Sequence, residues 1–177
     1  LPKARKNRVE LAGTRKAHVR DGAAMARFLH WIDREATGQG ELAVMAKLEE
    51  IRGADPLHRG ASFTTIAGAG PNGAIVHYRS SPETERKVEK GTFLLIDSGA
   101  QYRDGTTDIT RTIPLGSLPK RLKEHYTLVL KGHIAVATAR FPRGTGGVAL
   151  DGFARRALWQ AGLDFDHGTG HGVGVYL

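Results

Sequence analysis

Ile96-Asp97-Ser98-Gly99-Ala100-Gln101-Tyr102-Arg103-Asp104-Gly105-Thr106-Thr107-Asp108-Ile109-Thr110-Arg111-Thr112 is the stretch whose reading decides the fold. Thr92 to Asp97 is apolar and strand-like, and Asp108 to Ile113 alternates polar and apolar residues, the period of a half-buried strand. Arg103-Asp104-Gly105 lies between them with turn chemistry, so the two runs read as an antiparallel hairpin. Asp97 and Asp108 then stand on opposite arms, and their separation depends on the loop. A two-residue loop at Asp104-Gly105 pairs Asp97 with Thr112 and leaves Asp108 roughly 13 Å along the strand, too far to share an ion. A wider loop centred near Tyr102-Arg103 sets the two directly opposite, with Cβ atoms ~5 Å apart. Facing carboxylates repel unless a cation lies between them. Spacing alone leaves both a metal site and two solvated aspartates open.

Helices flank this hairpin. Val9 to Glu35 reads as helical, with Met25, Leu29 and Ile32 on one apolar stripe. A second helix runs from Glu41 to Arg52 and stops at Gly53. Phe63 to Ile66 and Ile75 to Tyr78 are short strand candidates around the turn-rich Gly68-Ala69-Gly70-Pro71-Asn72-Gly73. Ser117 can cap a third helix with Pro119 in its first turn, carrying Leu122, Tyr126, Val129, His133 and Val136 at helical spacing. A fourth covers Val148 to Gln160, ending at Gly162, and His167 to Tyr176 closes the chain as a strand or bend. This order predicts an α+β domain in which helices cover one face of a mostly antiparallel sheet.

Composition bounds the chemistry. The 177 residues contain no cysteine, which excludes disulfides, thiolate nucleophiles and Cys-ligated zinc. No apolar run approaches the ~18 residues a membrane span needs, and no apolar stretch follows the basic N-terminus as in a secretory signal. A cytoplasmic location with no membrane partner is expected. The formal charge is +8, but the surplus sits in residues 1–20, where Lys3, Arg5, Lys6, Arg8, Arg15, Lys16 and Arg20 face only Glu10. With no aromatic residues interleaved, this reads as a solvated helix rather than a nucleic-acid surface.

The histidines form the second constellation. His167 and His171 stand among glycines 168, 170, 172 and 174. If the segment is extended, both imidazoles share one face and the backbone can approach a ligand closely. Neutral imidazole with carboxylates suits Mn, Co, Fe or Zn; the competing reading is a glycine-rich loop with incidental histidines. His77, after Ile75-Val76, reads by itself as a structural strand residue, and His18, His30, His58, His125 and His133 as structural or surface residues. Gly68 to Gly73 matches G-x-G-x-x-G literally, but no helix opens there to meet a pyrophosphate, so nucleotide binding is not expected.

Taken together, Ala69-Gly70-Pro71-Asn72-Gly73-Ala74-Ile75-Val76-His77-Tyr78, Ile96 to Thr112 and His167 to Gly174 resemble the pita-bread metallopeptidases, most closely the Xaa-Pro aminopeptidases (aminopeptidase P). The resemblance implies the pita-bread fold and release of an N-terminal residue that precedes proline, from a peptide with proline second. It implies two divalent metal ions, manganese foremost, with zinc or cobalt as alternatives. Asp97 would chelate one metal, Asp108 would bridge both and His171 would bind the other. His77 and His167 would act catalytically from the substrate site, while a metal-bridging hydroxide attacks the carbonyl. A homodimer is implied for the full-length protein.

The family's two further glutamate ligands, and one more substrate-site histidine, follow the glycine-rich histidine block. The chain starts at Leu1 and stops at Leu177, so residues 1–177 are expected to be a fragment. They would form a partial pita-bread catalytic domain, lacking the C-terminal strands and the family's N-terminal domains, with an incomplete site of doubtful activity in which the metals could be absent. The alternatives are an Xaa-Pro dipeptidase (prolidase) and a non-catalytic pita-bread binding domain. The metal-free creatinase variant of the fold is disfavoured by Asp97 and Asp108.

Overall fold

Asn7 starts the first helix in the computed structural model, which describes residues 4–177. Its side chain accepts from the Glu10 backbone N–H at 2.9 Å, and Glu10 Oε2 accepts from the Asn7 N–H at 2.7 Å, a reciprocal cap. Helix α1 spans Arg8–Glu35 and α2 spans Glu41–Gly53. Strands β1 (His58–Ala61) and β2 (Ile66–Ala69) lead into a 3-10 turn at Gly70–Ala74. Strands β3 (Thr92–Ser98), β4 (Ala100–Tyr102), β5 (Gly105–Thr106) and β6 (Ile109–Leu115) follow, then α3 (Lys120–Ala137) and α4 (Val148–Trp159). The chain divides into two compact units, one reaching Ser117 and taking in Gly172–Leu177, the other Leu118–His171.

In the first unit α1 and α2 cover one face of the antiparallel sheet β2-β3-β6. Phe28 and Ile32 from α1, and Val44 and Leu48 from α2, pack on Ala67, Leu94, Ile96 and Leu115. The buried face of α1 runs through Ala17, Asp21, Ala24, Met25, Phe28 and Ile32, with Leu29 at its margin. Asp21 lies fully buried in that stripe and pairs with Arg52 of α2 through two hydrogen bonds of 2.7 and 3.1 Å. Tyr102 and Thr107 donate their hydroxyls to the same carboxylate, so the helices and the hairpin tip share one polar knot.

The hairpin is one ladder shared by two sheets. Asp97 pairs with Thr110 and Ser98 with Ile109, and the same register continues in β4–β5 as Gln101 with Thr106 and Tyr102 with Gly105. Its loop is Arg103-Asp104, one residue before the tight loop expected and narrower than the wide one. Tertiary contacts fix that position. Arg20 binds the Asp104 carboxylate, the Arg103 N–H donates to the Leu57 carbonyl at 2.9 Å, and a Cβ on Gly13 would fall 2.0 Å from the Asp104 carbonyl.

Three expectations change. The strand begins at Ile66 rather than Phe63, since β2 pairs with β3 along Ile66–Ala69. Ile75 to Tyr78 is not a strand but a separate turn just after the 3-10 turn, closed by the Tyr78 N–H on the Ile75 carbonyl. Ser117 does not cap α3, whose N-cap position is Pro119. The closing segment takes the bend of its two expected forms.

The second unit is a helix pair. A Cβ on Gly132 of α3 would lie 2.1 Å from the Ala154 carbonyl of α4, so the two backbones touch where only glycine fits. The packing face of α3 passes through Leu128 and Gly132, whereas Tyr126, Val129 and His133 of the expected stripe are exposed. Periodicity located the helix but assigned its inner face to the large apolar residues.

Candidate metal centre

Alternation along β3 sends Leu94, Ile96 and Ser98 into the core and Asp97 to the opposite face. Thr110 is the residue across from Asp97, and its hydroxyl donates to Asp97 Oδ1 at 2.7 Å. Asp108 lies two positions before Thr110, in the break between β5 and β6. Carried through that break, the register common to both ladders would make the two carboxylates diagonal neighbours, for which regular strands set Cβ atoms roughly 7 Å apart. Both are half-buried.

Two carboxylates on the arms of one hairpin, one already oriented by a hydroxyl, are the hard oxygen-donor chemistry that a divalent ion of the manganese type accepts. They fit such an ion as part of a ligand set. Among the described residues no group of three or more His, Asp or Glu is assembled to hold a metal.

His77 is exposed and adopts φ 53°, a left-handed backbone that is costly for a residue with a Cβ. A buried network imposes it. Glu41, at the start of α2, accepts from the Ala69 N–H at 2.7 Å, from Asn72 Nδ2 at 3.0 Å and from the Tyr78 hydroxyl at 2.8 Å. The 3-10 turn and Tyr78 are thereby clamped on either side of His77. Burial, more than the neighbouring Glu41, raises the Tyr78 phenol above its ordinary range and keeps it a donor. His77 lines a cavity of about 130 Å³ with Phe63, Thr64, Ile66, Tyr78 and Arg79. Ile66 is the β2 partner of Asp97, so this cavity adjoins the strand that carries the carboxylate.

The literal G-x-G-x-x-G serves this turn. Gly68 lies against Gly73, where a Cβ would meet backbone at 2.7 Å, and Gly70 takes φ +56°.

His167 and His171 belong to the second unit and are exposed on irregular backbone, so the shared face expected of a strand does not arise. His167 Nδ1 is 2.8 Å from the Gly168 carbonyl. A carbonyl only accepts, so Nδ1 carries a proton.

Thr110, Glu41, Asn72, Tyr78 and Arg155 were not singled out by sequence reasoning. Arg155 left a trace, since Asp151 precedes it by four residues on a helix. Glu41 and Tyr78 left none, because their partners are distant in the chain.

A family model, metallopeptidase family M24, matches residues 12–177. The probable Xaa-Pro aminopeptidase P of Laccaria bicolor is 51% identical over 178 residues, covering 99% of this chain and 28% of that protein. Aminopeptidase P1 of Arabidopsis thaliana is 46% identical over 200 residues, covering 100% of this chain and 31% of its own length. Among solved structures, the X-prolyl aminopeptidase of Caenorhabditis elegans, described as a cytosolic enzyme with a di-nuclear active site, superposes with a TM-score of 0.93. It is 45% identical over 99% of this chain and 29% of that one. The prolidase of Pyrococcus furiosus gives a TM-score of 0.86 at 30% identity, over 98% of this chain and 50% of that one. The chain thus spans under a third of the length of the two curated relatives. Its helices and antiparallel strands are those of the pita-bread enzymes, and the chain belongs to metallopeptidase family M24.

Proposed function

We propose that this chain is part of the catalytic domain of a metal-dependent aminopeptidase that releases an N-terminal residue preceding proline. What supports the reading is Asp97 on β3, opposite Thr110 and hydrogen-bonded to it, with Asp108 two residues before Thr110 in the chain. The names of the relatives support the Xaa-Pro specificity. Asp97 would hold one ion, Asp108 both and His171 the second, with manganese the expected metal. When bound, the ions supply Lewis acidity and a lowered pKa for the attacking water. His77 and His167 would bind and orient the scissile amide region, His77 from its strained turn and His167 through Nε2, the ring nitrogen that Gly168 leaves free of the carbonyl contact. Ligands contributed by the rest of the protein would complete the site, so residues 1–177 alone should bind metal weakly.

Activity of the full-length protein with manganese on Arg-Pro-Pro, compared with the dipeptide Arg-Pro, tests the reading. Cleavage of the tripeptide with Asp97→Asn inactive supports it; cleavage of the dipeptide alone would assign the prolidase activity, which the likeness to the Pyrococcus furiosus enzyme also supports. A cytosolic homodimer completes the proposal, testable by fractionation and light scattering. No helix among the described residues is long and apolar enough to cross a membrane.

A further inference from the structure

We propose that Arg155 of α4 is the positioning residue that sets the orientation of His167; the inference rests on the reading of His167 as a substrate-site residue. His167 lies on a segment with no ladder hydrogen bonds to place it. Arg155 supplies the placement. Its Nη2 donates to the His167 carbonyl at 2.9 Å and its Nη1 to the Phe165 carbonyl. The guanidinium lies 3.9 Å from the centroid of the Phe165 ring. Phe165 in turn stacks on the His167 imidazole, with centroids 4.7 Å apart and planes 30° apart. Guanidinium and imidazole both pack on the Phe165 ring, and the same guanidinium grips the main chain at Phe165 and at His167.

Two carboxylates hold the guanidinium. Nε donates to Asp151 Oδ2 at 2.7 Å, and Nη1 to Asp164 Oδ1 at 2.8 Å. Asp151 also accepts from the Thr169 hydroxyl, so the loop is tied to α4 on both sides of His167. The arginine side chain is 14% exposed, which leaves its fork little freedom to turn away. Only a planar group with several fixed donors can meet two carboxylates and two carbonyls while stacking on a ring; lysine keeps the charge and loses the fork.

The test uses the full-length protein loaded with manganese, with Arg155→Met and Arg155→Lys made in the parent and in a His167→Ala background. With Arg-Pro-Pro as substrate, Arg155→Met should lower kcat about tenfold or more with little change in KM, since small displacements of a positioned group are costly. Arg155→Lys should recover little of that loss. In the His167→Ala background neither substitution should cost anything further, because residues acting through one another are not additive. Additive losses, or full rescue by lysine, would overturn the proposal.

A second measurement separates this idea from the reading beneath it. The 15N resonances of the His167 ring in metal-free protein should report the Nδ1-protonated form, and should move towards tautomer exchange in Arg155→Lys. If His167→Ala keeps full activity, the substrate-site reading fails. The ring resonances still decide the positioning role: an unchanged ring spectrum in Arg155→Lys would end it.

Discussion

Thr110 faces Asp97 across the β3–β6 ladder and donates its hydroxyl to the Asp97 carboxylate at 2.7 Å. A hydroxyl in that place fixes which way the carboxylate lone pairs point. Thr110→Val keeps the β-branched shape and removes the donor. Manganese affinity of the full-length protein, measured by titration calorimetry, should fall about tenfold or more, and Thr110→Ser should restore most of it.

Asp97 and Asp108 are read as sharing an ion. With manganese, Asp108→Asn should destabilise the protein more than it does without metal, since the variant loses the stabilisation that binding confers. Thermal melts of both proteins with and without metal provide the comparison, and a variant destabilised equally in both conditions would contradict the shared-ion geometry.

Tyr78 donates to the buried Glu41 at 2.8 Å and ends the turn that strains His77. Tyr78→Phe leaves a buried carboxylate short of one donor, at a cost of about 1–3 kcal/mol. Denaturant midpoints should show that loss. Peptide turnover should drop further than manganese affinity does, because the turn carries His77 and neither aspartate.

Arg52 and Asp21 are paired in the core, at 1% and 0% exposure. Asp21→Asn strands a buried guanidinium and also weakens the partner of Tyr102 and Thr107. A loss of about 3–5 kcal/mol is expected in chemical denaturation. Tyr102, whose phenol is raised far above its ordinary range by burial and then by Asp21, is locked to this site as a donor.

Asp164 is held at about 2 by the Trp159 indole N–H, then by Arg155 and the Phe165 backbone N–H. An unfolded aspartate titrates near ~3.9. The folded value is depressed, so the contribution to loop order is complete above that pH and is lost as pH falls towards about 2. The Trp159 indole N–H resonance should hold its position down to pH ~4 and shift below it. Asp164→Asn should remove that acid-linked shift.

Local chemistry made much of this fold legible. Helix α1 has a long amphipathic stripe, and the apolar run of β3 and the alternating run of β6 stand on either side of turn residues. These signals act between residues close in the chain, so they survive without the fold. Ile75 to Tyr78 misled for the same reason: its β-branched residues favour a strand, but Glu41, from α2, holds Asn72 and Tyr78 in a turn instead.

The sequence by itself determined that two aspartates lie on the arms of one hairpin, that two histidines stand in a glycine-rich segment, and that no thiol chemistry is available. Tertiary structure decided the register. Arg20, Gly13 and Leu57 hold the loop at Arg103-Asp104, and that one-residue choice pairs Asp97 with Thr110 rather than Thr112. It also decided what orients the histidines, a buried Glu41–Tyr78 clamp for His77 and an Arg155–Phe165 stack for His167. The physical reason is that side-chain period in a strand is two residues, so composition says which groups are present while distant contacts choose the register and the neighbours.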